Sequence, residues 1–158
     1  MDFRSGQIEG VIWRPLTFYK DGRGWLCELF REDELPAEFH PVMAYVSMTE
    51  PGVARGPHEH REQADCFCFV GPSDFRVYLW DARPSSPTSG ARQGEVVGAS
   101  RPALLVVPAG VAHAYKNVGG VPGWVFNCPN RLYRGPGRKE PVDEIRHEEV
   151  PSNPFRLD

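Results

Sequence analysis

Residues 52–71 read GVARGPHEHREQADCFCFVG, and the spacing of the polar side chains within them decides the fold. Side chains two positions apart on a β-strand point to the same face, so His58 and His60 enter the same interior. Asp65 follows past a short turn, and its carboxylate can reach the same place. The stretch therefore predicts two strands whose polar side chains meet inside a sheet.

A second stretch, PAGVAHAYKN at residues 108–117, carries a matching face. The same period of two places His113, Tyr115 and Asn117 on one side of a strand. Three of the five histidines in the chain fall on these two segments. We expect these three to converge with Asp65 in the interior, as a metal-binding or acid–base site.

Proline and glycine, 16 of each, divide the chain into short segments rich in Val, Phe, Tyr, Trp and Leu. Short segments at this spacing are typical of antiparallel strands. Because almost no helix is expected, we favour an all-β fold, either a closed barrel or a double sheet, in which closure removes exposed strand edges. Residues 31–38 form the only expected helical turn, residues 84–94 a polar loop, and residues 140–149 an acid-rich solvated tail. The clearest predicted strands are residues 43–48, 65–70, 75–80, 103–107, 112–118 and 123–128.

Length and charge limit the classes of function. A chain of 158 residues is enough for one hydrophobic core, so a single domain is expected. A net charge of -3 provides no positive field for nucleic acid or anionic lipid, and no segment is apolar enough for a signal peptide or a membrane span. A cytoplasmic location follows as an expectation, and in that compartment Cys27, Cys66, Cys68 and Cys128 are interpreted as buried thiols.

The two histidine-containing stretches resemble the paired motifs of the cupin superfamily. The first motif is matched at Gly52, His58, His60, Asp65 and Gly71, and the second at Pro108, Gly110, His113 and Asn117. The sequence departs at Pro102, where the family has glycine, and at Asp65, where it has glutamate. The resemblance implies a cupin jelly-roll barrel in which His58, His60, Asp65 and His113 hold a divalent metal.

The chemistry of these side chains supports that implication. Neutral imidazole and carboxylate suit Zn, Fe, Ni, Mn or Cu, and vacant positions on the metal indicate a catalytic site. No organic cofactor is expected. Two alternatives stay open: the histidines carry protons without a metal, or Glu62 rather than Asp65 supplies the carboxylate.

A more specific resemblance covers about the first 130 residues. GVIWRPLTFYKDGRGWLCELF, RGPHEH, WDARPSSPTSG and PAGVAHAY resemble, in the same order, four blocks of the dTDP-4-dehydrorhamnose 3,5-epimerase family. The resemblance implies proton abstraction by His58 next to the ketone of a dTDP-4-keto-6-deoxyhexose, with Arg23 and Arg55 on the diphosphate and Glu28 in the substrate site. It also implies a homodimer with an N-terminal arm (residues 1–42), a barrel core (43–130) and a C-terminal extension (131–158).

Several departures from that family concern its catalytic groups. Its tyrosine aligns with Phe126, which we expect to face inward with Trp124 as part of the substrate site. Its lysine aligns with Asp65, and the aspartate that partners its histidine base is expected to lie beyond Asp158. Tyr115, Tyr78 and Tyr133 are the candidates for the missing acid, with Tyr115 on the same predicted face as His113.

Three further interpretations remain. RGPHEH also resembles the sugar 3,4-ketoisomerases, another cupin group, in which His58 and His60 would be the acid–base pair. A metal-dependent cupin isomerase or oxygenase acting on another small polar molecule is the second. The third is a sugar-binding cupin that has lost catalysis.

Overall fold

Two facing sheets and a separate hairpin make up the fold among residues 2–158, which the computed structural model describes. Met1, the first residue of the expected 1–158 domain, lies outside this range. The strands are β1 (Arg4–Ser5), β2 (Ile12–Pro15), β3 (Phe18–Asp21), β4 (Gly24–Cys27), β5 (Tyr45–Thr49), β6 (Ala54–His60), β7 (Asp65–Gly71), β8 (Asp74–Asp81), β9 (Ala91–Gly98), β10 (Ala103–Val107), β11 (Val111–Asn117), β12 (Gly123–Asn127) and β13 (Glu144–Arg146).

The larger sheet has the strand order β1-β9-β8-β11-β6-β13, and the smaller has the order β2-β10-β7-β12-β5. Strands β3 and β4 form a two-stranded hairpin of their own. All the pairings in the two sheets are antiparallel except the short β1–β9 contact. This is the expected all-β jelly-roll, and only single 3₁₀ turns interrupt it in the described chain.

The hydrophobic core lies between the two sheets. Phe67 and Phe69 of β7 project into it from the smaller sheet, while Val77 and Leu79 of β8 project from the larger one. Strand β7 is buried along its whole length because the N-terminal segment around Phe39 covers its other face. A central strand that is covered on both faces needs apolar side chains on both, and β7 provides them.

All six predicted strands are present, each within two residues of its expected ends. The expected helical turn is a 3₁₀ turn at Glu32–Glu34. Cys66, Cys68 and Cys128 are buried free thiols, whereas Cys27 is only partly buried.

Two predicted loop regions were wrong in part. The polar loop expected over 84–94 ends at Gly90, and β9 follows directly, pairing with β8. The tail expected to be solvated over 140–149 contains β13, which pairs with β6 as an additional strand of the larger sheet. Polar composition hid both strands because each lies near a sheet edge, where one face meets solvent.

The expectation that Trp124 and Phe126 face inward was also wrong. The register of β12 against β7 shifts between Trp124 and Val125. Val125 and Asn127 are buried in the interior, whereas Trp124 is half exposed and Phe126 packs on the outer face of the smaller sheet. Side chains alternate along β12, and the prediction assigned the inward face to the wrong set of alternate residues.

Among the described residues, no helix has the length and apolar character needed to cross a membrane.

A buried carboxylate holds the loop between β8 and β9. Asp81 is fully buried and accepts hydrogen bonds from the Arg83 guanidinium and from the hydroxyls of Ser86 and Thr88. Burial by itself raises the pKa of Asp81, but these hydrogen bonds outweigh it and hold the pKa below its usual range. The ionised carboxylate therefore stabilises the folded state at neutral pH.

We expect Asp81→Asn to lower the free energy of unfolding by about 2–4 kcal/mol, since it leaves Arg83 without its buried partner. The contribution of Asp81 is present above about pH 4 and is lost as pH falls below it, so the deficit should shrink in acid. Urea unfolding at several pH values measures both. Glu95→Gln, which removes the exposed pair with Arg101, is the control and should cost less than about 1 kcal/mol. Equal losses in the two variants would contradict a structural role for Asp81.

Candidate active site

Three histidines meet on the inner face of the larger sheet. His58 and His60 lie on β6, and His113 lies opposite His58 on the neighbouring strand β11. The ring centroids of His58 and His113 are 4.4 Å apart, and one nitrogen from each of the three rings lies within 4.8 Å of the others. The structure therefore brings the predicted histidines together.

Gly56 permits this close approach of β6 and β11. Its φ is +84°, and a Cβ there would lie 2.5 Å from the His113 carbonyl oxygen. A larger side chain would push the two strands apart at the point where His58 and His113 face each other.

Asp65 reaches the same place from the smaller sheet. It is 1% exposed, and its Oδ1 accepts hydrogen bonds of 2.8 Å from both Gln63 Nε2 and Asn127 Nδ2. Its Oδ2 lies 3.4 Å from His60 Nε2 and 3.4 Å from His113 Nε2. Glu62 instead points to solvent and pairs with Arg131, so the carboxylate in the cluster belongs to Asp65.

The hydrogen bonds define which ring nitrogens carry lone pairs. His113 Nδ1 lies 3.0 Å from the Val111 carbonyl, to which it donates, so the buried Nε2 is an acceptor without a partner. His60 Nε2 lies 3.2 Å from the Gln63 amide nitrogen, a donor. The lone pair of His113 Nε2 therefore faces the Asp65 carboxylate without a hydrogen-bond partner, whereas that of His60 Nε2 accepts from Gln63.

This donor set fits a divalent metal. Ligands about 2.1 Å from a tetrahedral ion lie about 3.4 Å apart, the separation seen between Asp65 Oδ2 and both imidazole nitrogens. In a buried site the unpartnered lone pair of His113 and the Asp65 carboxylate repel each other, and a cation between them would remove that repulsion. Neutral imidazole with carboxylate matches the preferences of Zn, Fe, Ni, Mn or Cu.

His58 has a different environment. Its Nδ1 lies 3.9 Å from Glu144 Oε1 and 4.0 Å from Glu148 Oε1, both carried by the C-terminal segment. Burial, together with repulsion from His113 and His60, lowers the pKa of His58 to about 2. The ring is neutral at pH 7 and can accept a proton.

The two carboxylates near His58 belong to the C-terminal segment of the chain, where no partner of His58 was predicted. Strand β13 runs beside β6 with Glu144 paired to His60, and the 3₁₀ turn His147–Glu149 brings Glu148 to the same side. The sequence reasoning missed both glutamates because the acid-rich tail resembled a solvated surface. An alternating strand pattern around Ile145 was the available signal.

A cavity of about 1060 Å³ opens in front of the cluster. His58, His60 and Arg55 line it from the larger sheet, and Tyr45 and Ser47 from the smaller one. The segment from Pro129 to Glu148 borders its mouth. The arginines that line it are Arg55, Arg61, Arg131, Arg134, Arg138 and Arg146.

Of the predicted substrate-binding residues, one lies at the cavity and three lie elsewhere. Arg55 lines the cavity, with its guanidinium on Thr49 Oγ1 and the Met48 carbonyl. Arg23 pairs with Asp21 on the exposed hairpin, and Glu28 lies in a separate groove beside Arg31. Neither reaches the cavity of its own chain, and neither does the outward-facing Phe126.

Of the tyrosines proposed as acids, Tyr115 and Tyr133 line the cavity, but Tyr78 does not. The Tyr78 hydroxyl donates to the Asp158 carbonyl on the outer face of the larger sheet, which rules out a role in this cavity. Tyr45 lines the cavity as well and was missed, although it lies within a predicted strand. The sequence could not show that Tyr45 faces inward, because that depends on the register of β5 against β12.

Comparison with known proteins supports one family. The model of the family described as dTDP-4-dehydrorhamnose 3,5-epimerase matches residues 5–134. The chain is 38% identical over 128 residues to the probable low-salt glycan biosynthesis epimerase Agl13 of Haloferax volcanii, covering 80% of this chain and 81% of the relative. It is 37% identical over 115 residues to the spore coat polysaccharide biosynthesis protein SpsL of Bacillus subtilis, covering 73% and 75%.

A solved structure shows the same fold. The dTDP sugar isomerase of Desulfovibrio desulfuricans G20 superposes with a TM-score of 0.80 at 24% identity, covering 94% of this chain and 91% of that one. The resemblance found in the four sequence blocks is thus confirmed over most of the chain. The protein belongs to the dTDP-4-dehydrorhamnose 3,5-epimerase family.

Proposed function

We propose that the protein is an epimerase of a dTDP-linked 4-keto-6-deoxyhexose, with His58 as the base. The observation that carries this proposal is the neutral His58 ring, which borders the cavity with two carboxylates near its Nδ1. Membership of the family and the names of the two relatives, one a probable glycan epimerase, support the same chemistry.

His58 removes a proton from the carbon next to the ketone, and the electron pair moves onto the ketone oxygen as an enolate. Glu144 and Glu148 offset part of the cost that burial and the neighbouring histidines place on the imidazolium that forms, in the way that a carboxylate orients a catalytic histidine. Arg55 and the arginines at the mouth provide guanidinium groups for the diphosphate, which they bind well because of their planar, paired donors.

We expect His58→Asn to slow product formation by at least about 100-fold, because the base is gone while the fold is kept. The measurement is NMR of dTDP-4-keto-6-deoxyglucose incubated with protein in deuterated buffer. His40→Asn alters an exposed histidine away from the cavity and should leave the rate unchanged. Absence of solvent deuterium at C3 and C5 with the unaltered protein would rule out this function.

A second proposal concerns the metal. We propose that His60, Asp65 and His113 bind a divalent transition metal, which would supply a Lewis acid for the developing enolate. The support is the unpartnered, buried Nε2 of His113, which lies 3.4 Å from Asp65 Oδ2, with His60 Nε2 at the same distance from that oxygen. His58, which the sequence also predicted as a ligand, is assigned the role of base here because its Nδ1 lies near Glu144 and Glu148.

We expect protein purified without chelator to contain about one equivalent of transition metal, measured by elemental analysis. His113→Gln removes one ligand and should abolish both the metal and the rise in melting temperature on adding Zn²⁺. His40→Asn is again the matched control. Less than about a tenth of an equivalent, unaltered by incubation with Zn²⁺, Fe²⁺ or Mn²⁺, would eliminate the metal and leave His58 as the base.

We also propose a homodimer in which the β3–β4 hairpin packs on a second copy. Tyr19, Trp25 and Leu26 of the hairpin are more than half exposed. On the smaller sheet, the outer face formed by Val46, Met48 and Trp124 is about half exposed beside the edge strand β5. Apolar patches of this kind mark interaction surfaces, and docking there would give Arg23 access to the cavity of the second copy.

We expect light scattering to give twice the mass of one chain, and Trp25→Glu and Trp124→Glu each to give a monomer by placing a charge in the apolar contact. Val150→Glu alters an exposed valine of the C-terminal segment and should leave the mass unchanged. A monomer with the unaltered sequence at micromolar concentration would contradict the proposal.

A further inference from the structure

The hydroxyl of Tyr45 is held beside the histidine cluster by a short chain of hydrogen bonds. Asn127 Nδ2 lies 2.9 Å from the Tyr45 hydroxyl and 2.8 Å from Asp65 Oδ1. Asn127 is 1% exposed and has its amide fixed at both contacts. The phenol is therefore positioned by the same buried network that positions Asp65.

The Tyr45 hydrogen is free to be donated into the cavity. An amide nitrogen only donates, so the Tyr45 oxygen accepts from Asn127 and its own hydrogen is not used there. Burial of the phenol is the main cause that raises its pKa, which keeps the hydrogen on the oxygen at neutral pH. Tyr45 remains partly exposed at the edge of the smaller sheet, so solvent can restore a hydrogen that is lost.

Tyr115 differs in this respect. Its hydroxyl lies 3.1 Å from Ser47 Oγ, and Ser47 Oγ donates to the Val125 carbonyl at 3.5 Å. The Tyr115 hydroxyl therefore has a hydrogen-bond partner in Ser47. The ring is buried among the core aromatics Phe67, Phe69 and Phe75, so Tyr115 is a packing residue with a satisfied hydroxyl.

Tyr45 and His58 line the cavity from opposite sheets. His58 is on β6 of the larger sheet and Tyr45 on β5 of the smaller one. Inversion at a carbon requires the proton to leave from one face and to return on the other. A base and an acid on opposing walls meet that requirement.

We propose that Tyr45 is the proton donor that completes inversion at the carbon from which His58 removes a proton, an assignment that rests on the proposed epimerase function. His58 takes the proton from one face and leaves an enolate. The Tyr45 O–H then gives its proton to the same carbon from the other face, while the ketone is restored. The tyrosinate that remains accepts the hydrogen bond from Asn127 and regains a proton from solvent, as imidazolium returns its own proton to solvent.

The test is Tyr45→Phe, assayed with dTDP-4-keto-6-deoxyglucose in deuterated buffer for both epimerised product and deuterium in recovered substrate. We expect product formation to fall by at least about 100-fold. Deuterium should still enter the recovered substrate because His58 removes and returns protons on its own face. Tyr78→Phe, on the outer face of the larger sheet, is the matched control and should leave both readings unchanged.

The outcomes separate this assignment from the function on which it depends. No deuterium exchange by the unaltered protein overturns the epimerase function and the role of Tyr45 together. The role of Tyr45 alone is overturned by a different result. In it, the unaltered protein exchanges deuterium and forms product, and Tyr45→Phe forms product at a rate within about fivefold of the unaltered protein. The role of Tyr45 is also overturned if Tyr133→Phe, and not Tyr45→Phe, loses product formation while deuterium still enters the recovered substrate. Melting temperatures of the variants within a few degrees of the unaltered protein exclude a loss caused by unfolding.

Discussion

The site depends on one buried carboxyl group. Asp65 lies inside the barrel, 1% exposed, with one oxygen satisfied by amides and the other directed at two imidazole nitrogens. An ionised carboxylate in such a place is costly unless a positive charge or strong hydrogen bonds compensate it. Gln63 and Asn127 supply the hydrogen bonds, and the unpartnered lone pair of His113 is directed at the place where a cation would complete the compensation.

The same requirement links the two sheets. Asp65 and Asn127 belong to the smaller sheet, whereas His60 and His113 belong to the larger one, so the polar cluster crosses the gap that the apolar core otherwise fills. Buried polar networks of this kind are stable only when nearly every member has a partner. Tyr45 extends the network to the edge of the barrel, where solvent and substrate can meet it.

The C-terminal segment adds the remaining charges. Strand β13 places Glu144 beside the histidines, and the following turn places Glu148 near His58 while His147 contacts Glu59 on the opposite side of β6. Phe155 then anchors the tail on Tyr78 and Trp80 of the larger sheet. A segment outside the barrel thus determines the electrostatic environment of His58, and the apolar anchor explains why it stays in position.

The sequence by itself determined six of the strands and an all-β fold, because a period of two fixes which side chains share a face. The jelly-roll and the convergence of His58, His60, Asp65 and His113 followed from the resemblance of two segments to the cupin motifs. The sequence could not determine which face of β12 is inward, since both sets of alternate residues contain apolar side chains and only the packing of β12 against its neighbours turns Val125 and Asn127 inward. Nor could it show that Glu144, Glu148 and Tyr45 reach the cavity while Arg23 and Glu28 do not. Those facts depend on strand pairing between distant segments, and only the tertiary structure decides which strand lies beside which.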